Sequence, residues 1–87
     1  MIRQEVTIKN PTGLHLRPAG IFCNTASYYK SKVMFQYGTV TANAKSVLSV
    51  LGACIKKGDR IILICEGEDE EEAMKAMVDA VEDGLGE

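Results

Sequence analysis

The stretch KVMFQYGTVTAN, residues 32–43, reads as two strands joined by a tight turn. Lys32–Tyr37 and Val40–Asn43 flank Gly38-Thr39, and a glycine in a two-residue link between β-prone runs is a hairpin signal. A hairpin is antiparallel, so the sheet these residues enter contains antiparallel pairs. Working outward, RIILICE (60–66) is apolar on both faces, which suits a central strand. IRQEVTI (2–8) places Ile2, Val6 and Ile8 on one face and Arg3, Glu5 and Thr7 on the other, a one-sided strand.

Three helical patterns lie between and after these strands. From about Leu16 to Tyr29 the apolar positions Ala19, Phe22, Cys23, Ala26 and Tyr29 recur at helical spacing. Pro18 is tolerated only in the first turn of such a helix, which puts His15 at or beside the N-cap. SVLSVLGA (46–53) is a short apolar segment with Ser46 as its N-cap. GEDEEE (67–72) reads as a solvated helix start, its charge suited to the positive end of the helix dipole. Ala73, Met74, Met77, Val78 and Val81 continue as a core stripe that Gly84 ends. Asn10-Pro11-Thr12-Gly13 and Lys57-Gly58-Asp59 are turns. The order β-α-β-β-α-β-α, without repeat or linker, predicts one α+β domain over residues 1–87, with helices packed on one face of an antiparallel sheet.

Composition narrows the function. Eighty-seven residues give room for one domain and not two. The net charge of −2 comes without any Lys/Arg cluster, so nucleic acid is not an expected partner. No apolar run has the length of a membrane span, and the first residues lack the apolar stretch of a signal peptide. Cys23, Cys54 and Cys65 are odd in number and show no C-x-x-C spacing; beside a single histidine they argue against a metal site. They are expected as small buried hydrophobes, and the expected compartment is the cytosol.

The one histidine stands in NPTGLHLRPAG, residues 10–20. A neutral imidazole is a competent nucleophile. The first turn of a helix offers unpaired N–H groups to an anion, and Arg17 adds a planar guanidinium donor. Gly13 permits close approach of the loop, and Pro18 stiffens the exit. Together these form a coherent phosphoryl-accepting site. Local chemistry leaves a second reading equally open, a solvent-facing histidine of no consequence.

Gly13-Leu14-His15-Leu16-Arg17-Pro18-Ala19 resembles the active-site motif of the HPr family, the histidine-containing phosphocarriers of the bacterial phosphoenolpyruvate:sugar phosphotransferase system. Asn43-Ala44-Lys45-Ser46-Val47-Leu48-Ser49-Val50-Leu51 is similar to the family's regulatory-serine region. Lys57-Gly58-Asp59 and Glu66-Gly67-Glu68-Asp69-Glu70 also fall where the family has them, so the resemblance spans essentially the whole chain. It implies an open-faced β-sandwich, three helices over a four-stranded antiparallel sheet of order 1-4-2-3. It further implies that His15 takes a phosphoryl group on Nδ1 from phospho-enzyme I, charged by phosphoenolpyruvate, and passes it to IIA domains of sugar permeases. Arg17 would orient that group. The chain would be a covalent carrier rather than an enzyme, monomeric and without cofactor.

Ser46 has two readings. It is a favoured N-cap, and in relatives from low-GC Gram-positive bacteria the matching serine is phosphorylated by HPr kinase/phosphorylase. The modified protein then serves as corepressor for catabolite control protein A. A phosphoserine at a helix N-terminus is electrostatically tolerated, so a cap can double as a switch. The alternative function is therefore a mainly regulatory binding module working through Ser46. Against it, a relative specialised for regulation could lose the histidine, and this chain keeps His15 with Arg17. On the short helix Val50, Ala53 and Cys54 share one face and Val47, Leu48 and Leu51 another. One face suffices for the core, so the other is expected to be exposed as a docking surface. The resemblance assigns partner contacts to Val47, Leu48 and Leu51, with Leu16 and Gly20 on the first helix.

The chain departs from the family at several positions. Cys54 stands where many members have the glycine that ends the short helix in a left-handed turn, so either the helix end is shifted or Cys54 is strained. Asn24 and Ser27 replace basic residues of the first helix, and Leu16 and Gly20 are variants near the site.

Overall fold

The structure, a computed structural model, describes residues 1–87. Seven elements follow one another: β1 (Ile2–Thr7), α1 (Leu16–Ser27), β2 (Lys32–Tyr37), β3 (Val40–Asn43), α2 (Val47–Gly52), β4 (Arg60–Glu66) and α3 (Glu70–Glu82). The strands form one antiparallel sheet of order β1-β4-β2-β3. The hairpin has the register expected of a two-residue turn, Tyr37 opposite Val40, with Gly38 at φ 62°. RIILICE is central: β4 pairs with β1 from Ile2↔Cys65 to Thr7↔Arg60, and with β2 from Lys32↔Glu66 to Gln36↔Ile62.

Alternation along the strands sorts their side chains between two faces. Val6, Val33, Phe35, Ile61, Leu63 and Cys65 turn to the helices and join Ala19, Phe22, Cys23 and Ala26 of α1 and Ala73, Met74, Met77 and Val81 of α3 in one apolar core. Phe22 meets Phe35 edge to face, with ring centroids 6.0 Å apart. No helix covers the other face, where Met34, Gln36, Ile62 and Ile64 alternate with the core positions. The architecture is thus an open-faced β-sandwich with its three helices on one side.

Three details differ from the sequence reading. Helix α1 stops at Ser27, with Tyr28 as its C-cap; Tyr29 lies beyond it, half-buried, and its carbonyl accepts from Lys45 Nζ at 2.7 Å. Cys23 and Cys65 are buried, and burial pushes both thiols up from their ordinary range, but Cys54 is exposed. The acidic run before α3 is also more than a solvated start. Asp69 occupies the N-cap position, yet its carboxylate turns away from the helix and accepts from Lys30 N and Ser31 N, each at 2.9 Å, and from Ser31 Oγ. The Ser31 hydroxyl and the Lys30 amide hold Asp69 down to about 2.

Candidate functional site

His15 is the N-cap of α1, with extended backbone (φ −84°, ψ −169°), and its carbonyl accepts the first helical bond from Ala19 N at 2.7 Å. Neither its side chain nor any other caps the helix. The N–H groups of Leu16 and Arg17 therefore have no intrahelical acceptor, and Pro18, buried in the same turn, has no N–H to satisfy. His15, Leu16 and Arg17 are all exposed. An imidazole, a guanidinium and free helix-terminal amides thus share one solvent-facing corner, a set able to receive an anion.

The loop into that corner is clamped from two directions. Gly13 adopts φ 67°, and a Cβ there would lie 2.5 Å from the Ile55 carbonyl oxygen and 2.8 Å from Lys56 Cα. Both the dihedral and the close approach require glycine. Leu14, buried, donates its N–H to the Ile55 carbonyl at 3.0 Å. From the other side, the Glu87 carboxylate accepts from Asn10 Nδ2 at 2.9 Å and from the Thr12 hydroxyl at 2.8 Å. Hydrogen bonds from Asn10 and Thr12, aided by the charge of Arg17, lower the pKa of Glu87. Local sequence reading gives residues 10–13 as a turn in which Gly13 permits close approach, and it gives Glu87 no role. The spaced glycines of Gly84-Leu85-Gly86 were the one hint that the chain turns sharply there.

Ile55 lies three residues past the end of α2, so the same contact brings α2 to His15. Leu14, His15 and Leu16 face Leu51, Cys54 and Ile55 across a groove of about 490 Å³. On α2, Val47 is 43% and Leu48 83% exposed, Leu51 is half-buried and Val50 is buried. The expected division into a core face and an open face holds for Val50, buried, and for Val47 and Leu48, exposed. It does not hold for the rest: Leu51 and Ala53 are both half-buried and packed against the core, and Cys54, past the last helical residue Gly52, is exposed. Cys54 takes the left-handed conformation (φ 56°) and donates its N–H to Leu51 O at 3.2 Å. The helix end is thus not shifted, and the cysteine is strained in its place. At the opposite end Ser46 is the N-cap, its hydroxyl accepting from Ser49 N at 3.2 Å. Gly20 is half-buried, with no atom within 4 Å of where a Cβ would stand. Asn24 and Ser27 are exposed on the same helix.

No group of three or more His, Cys, Asp or Glu side chains is arranged to hold a metal ion. No helix is long and apolar enough to cross a membrane.

Comparison with known proteins covers essentially the whole chain. The family model for the PTS HPr component phosphorylation site matches residues 2–83. The phosphocarrier protein HPr of Neisseria meningitidis is 37% identical over 87 residues, covering 100% of this chain and 98% of that protein. The HPr-like protein Crh of Halalkalibacterium halodurans is 37% identical over 82 residues, 94% of this chain and 98% of that one. The crystal structure of HPr-C-His from Thermoanaerobacter tengcongensis superposes with a TM-score of 0.97 at 41% identity, covering 100% and 98% of the two chains. With the sheet order, the helix packing and the whole sequence in agreement, this chain belongs to the HPr family of phosphocarrier proteins.

Proposed function

We propose that this chain is a phosphocarrier that accepts a phosphoryl group from phospho-enzyme I on Nδ1 of His15 and passes it to IIA domains of sugar permeases. The observation that carries this reading is the position of His15: exposed, at the N-cap of α1, beside first-turn amides with no intrahelical acceptor, with Arg17 two residues on. In the accepting step a bond forms between Nδ1 and phosphorus as the bond to enzyme I breaks. In the donating step the same bond breaks as the acceptor histidine attacks. The free N–H groups of Leu16 and Arg17 and the Arg17 guanidinium supply donors for the phosphoryl oxygens. Leu16, Gly20, Val47, Leu48 and Leu51 form the docking surface around it, and exposed apolar side chains on α2 suit that use. Residues 1–87 act as one domain, monomeric and cytoplasmic, and the partners complete the transfer site.

Ser46 adds a regulatory input in this reading. Its hydroxyl sits at the N-terminus of α2, between Lys45 and the exposed Val47 and Leu48, where a kinase reaches it and a phosphate alters the docking surface. HPr kinase/phosphorylase is the proposed modifying enzyme and catabolite control protein A the proposed reader. Likeness to Crh of Bacillus subtilis, which is named a catabolite repression HPr, supports keeping this input beside the carrier role.

A reconstituted relay tests the proposal. With phosphoenolpyruvate, enzyme I and a IIA domain present, phosphorylation of the IIA domain is expected only when this chain is added, and to be lost with His15→Ala. Failure of the intact chain to support transfer would remove the carrier function.

A further inference from the structure

Past α3, Gly84 (φ 84°), Leu85 (φ 50°) and Gly86 (φ 85°) run in succession through the left-handed region. Leucine adopts that conformation unwillingly. It is held here because Leu85 is buried in the core and donates its N–H to Ala80 O at 3.0 Å. The turn is closed by Glu87 N donating to Gly84 O at 3.0 Å, and it delivers Glu87 to Thr12 and Asn10, 75 and 77 residues away in sequence.

Glu87 then makes a clasp. Its Oε1 accepts from Asn10 Nδ2 (2.9 Å), Thr12 Oγ1 (2.9 Å) and Thr12 N (3.2 Å), and Oε2 accepts from the same hydroxyl at 2.8 Å. Asn10 directs a further donation to Gly13 O at 2.6 Å, while Gly13 N returns one to Asn10 O at 3.1 Å. Asn10 is buried and its own Oδ1 has no partner. The amide is thus oriented by its two acceptors, at the cost of an unpaired carbonyl oxygen. On the opposite side Gly13 is pressed against Ile55 and Lys56. The turn that ends two residues before His15 is therefore fixed between two segments remote in sequence.

We infer that Glu87 is a positioning residue for His15. By clasping Asn10 and Thr12 it seats the 10–13 turn against Ile55–Lys56 and so sets where the imidazole stands relative to the α1 amides and Arg17. Its functional consequence rests on the phosphocarrier reading; the clasp itself does not. Hydrogen bonds from Asn10 and Thr12 keep the carboxylate charged, with both oxygens available as acceptors.

Glu87→Ala, Glu87→Gln and Thr12→Ala in the full chain test the inference, assayed as phosphoryl acceptance from phospho-enzyme I. A reacting group displaced by a fraction of an ångström slows transfer without weakening docking. Glu87→Ala is thus expected to lower kcat roughly tenfold at unchanged KM. Glu87→Gln, which keeps one acceptor oxygen, is expected to recover part of the loss. The Glu87→Ala/Thr12→Ala double variant is expected to be no slower than the slower single variant. Amide exchange at Gly13 and Leu14, whose N–H groups donate to Asn10 O and Ile55 O, is expected to quicken while β4 stays protected. An unchanged kcat overturns the inference, as does a rise in KM alone. A faster transfer overturns it too, since Glu87 would then compete with the phosphoryl group for Arg17. If Glu87→Ala does not fold, Glu87→Gln and Thr12→Ala decide by the same criteria. If the unsubstituted chain accepts no phosphoryl group, the carrier reading has failed, and exchange at Gly13 and Leu14 alone judges the clasp, with no change overturning it.

Discussion

Cys54 shows how one side chain can be tolerated where glycine is cheaper. An L-residue at φ 56° pays a steric penalty of about 1–2 kcal/mol relative to right-handed backbone. The fold imposes that conformation because Ile55, the next residue, must turn inward to the core and present its carbonyl to Leu14. Cys54→Gly is therefore expected to raise the free energy of unfolding by about 1 kcal/mol, read as a higher urea midpoint at constant slope. An unchanged midpoint would mean that the helix end relaxes around the cysteine at no cost. The departure was legible in the sequence, where cysteine stands at a position suited to glycine. Which way it resolved was not, because the choice between a shifted helix and a strained residue depends on Gly13 and Leu14, some forty residues away.

At the scale of elements, local chemistry places helix starts and turns well. Pro18 marked the beginning of α1, and Gly38-Thr39 fixed the hairpin register. Ser46 caps α2 with its own hydroxyl, so Ser46→Ala is expected to cost about 1 kcal/mol. A loss near zero, measured by denaturant unfolding, would assign Ser46 to regulation alone. In α1, Gly20 weakens the helix without any packing reason, since a Cβ there meets open space. Gly20→Ala should add about 1 kcal/mol of stability. If the surface around Gly20 docks partners, the same substitution changes KM for enzyme I while leaving phosphohistidine formation at saturation intact. The start of α3 depends on contacts beyond its own segment. Asp69 looked like part of a solvated acidic run, but its carboxylate binds Lys30 and Ser31, a partnership spanning 38 and 39 residues that no local pattern announces.

Across the whole molecule, the parts of the site invisible to sequence reading are those made by chain segments distant in sequence. His15 and Arg17 could be singled out because five neighbouring residues carry their chemistry; the contacts of Glu87 with Asn10 and Thr12 could not, because they depend on the turn after α3. Carboxylate contacts, local and long-range, set the response to pH. Asp59, Asp69, Glu70 and Glu87 all have lowered pKa values, Asp69 to about 2. A carboxylate more acidic in the folded than in the unfolded chain contributes stability above its unfolded pKa of about 4 and loses it as pH falls through the folded value. The unfolding temperature is therefore expected to drop steadily between about pH 4 and pH 2, and Asp69→Asn to flatten that slope; an unaltered slope would remove Asp69 from the explanation. The phosphocarrier assignment itself meets its most direct test in mass spectrometry after incubation with phosphoenolpyruvate and enzyme I. One added phosphate, localised to His15, lost in acid and absent from His15→Ala, is the expected result; an unlabelled wild-type chain, or a label that survives acid and the His15 substitution, would contradict it.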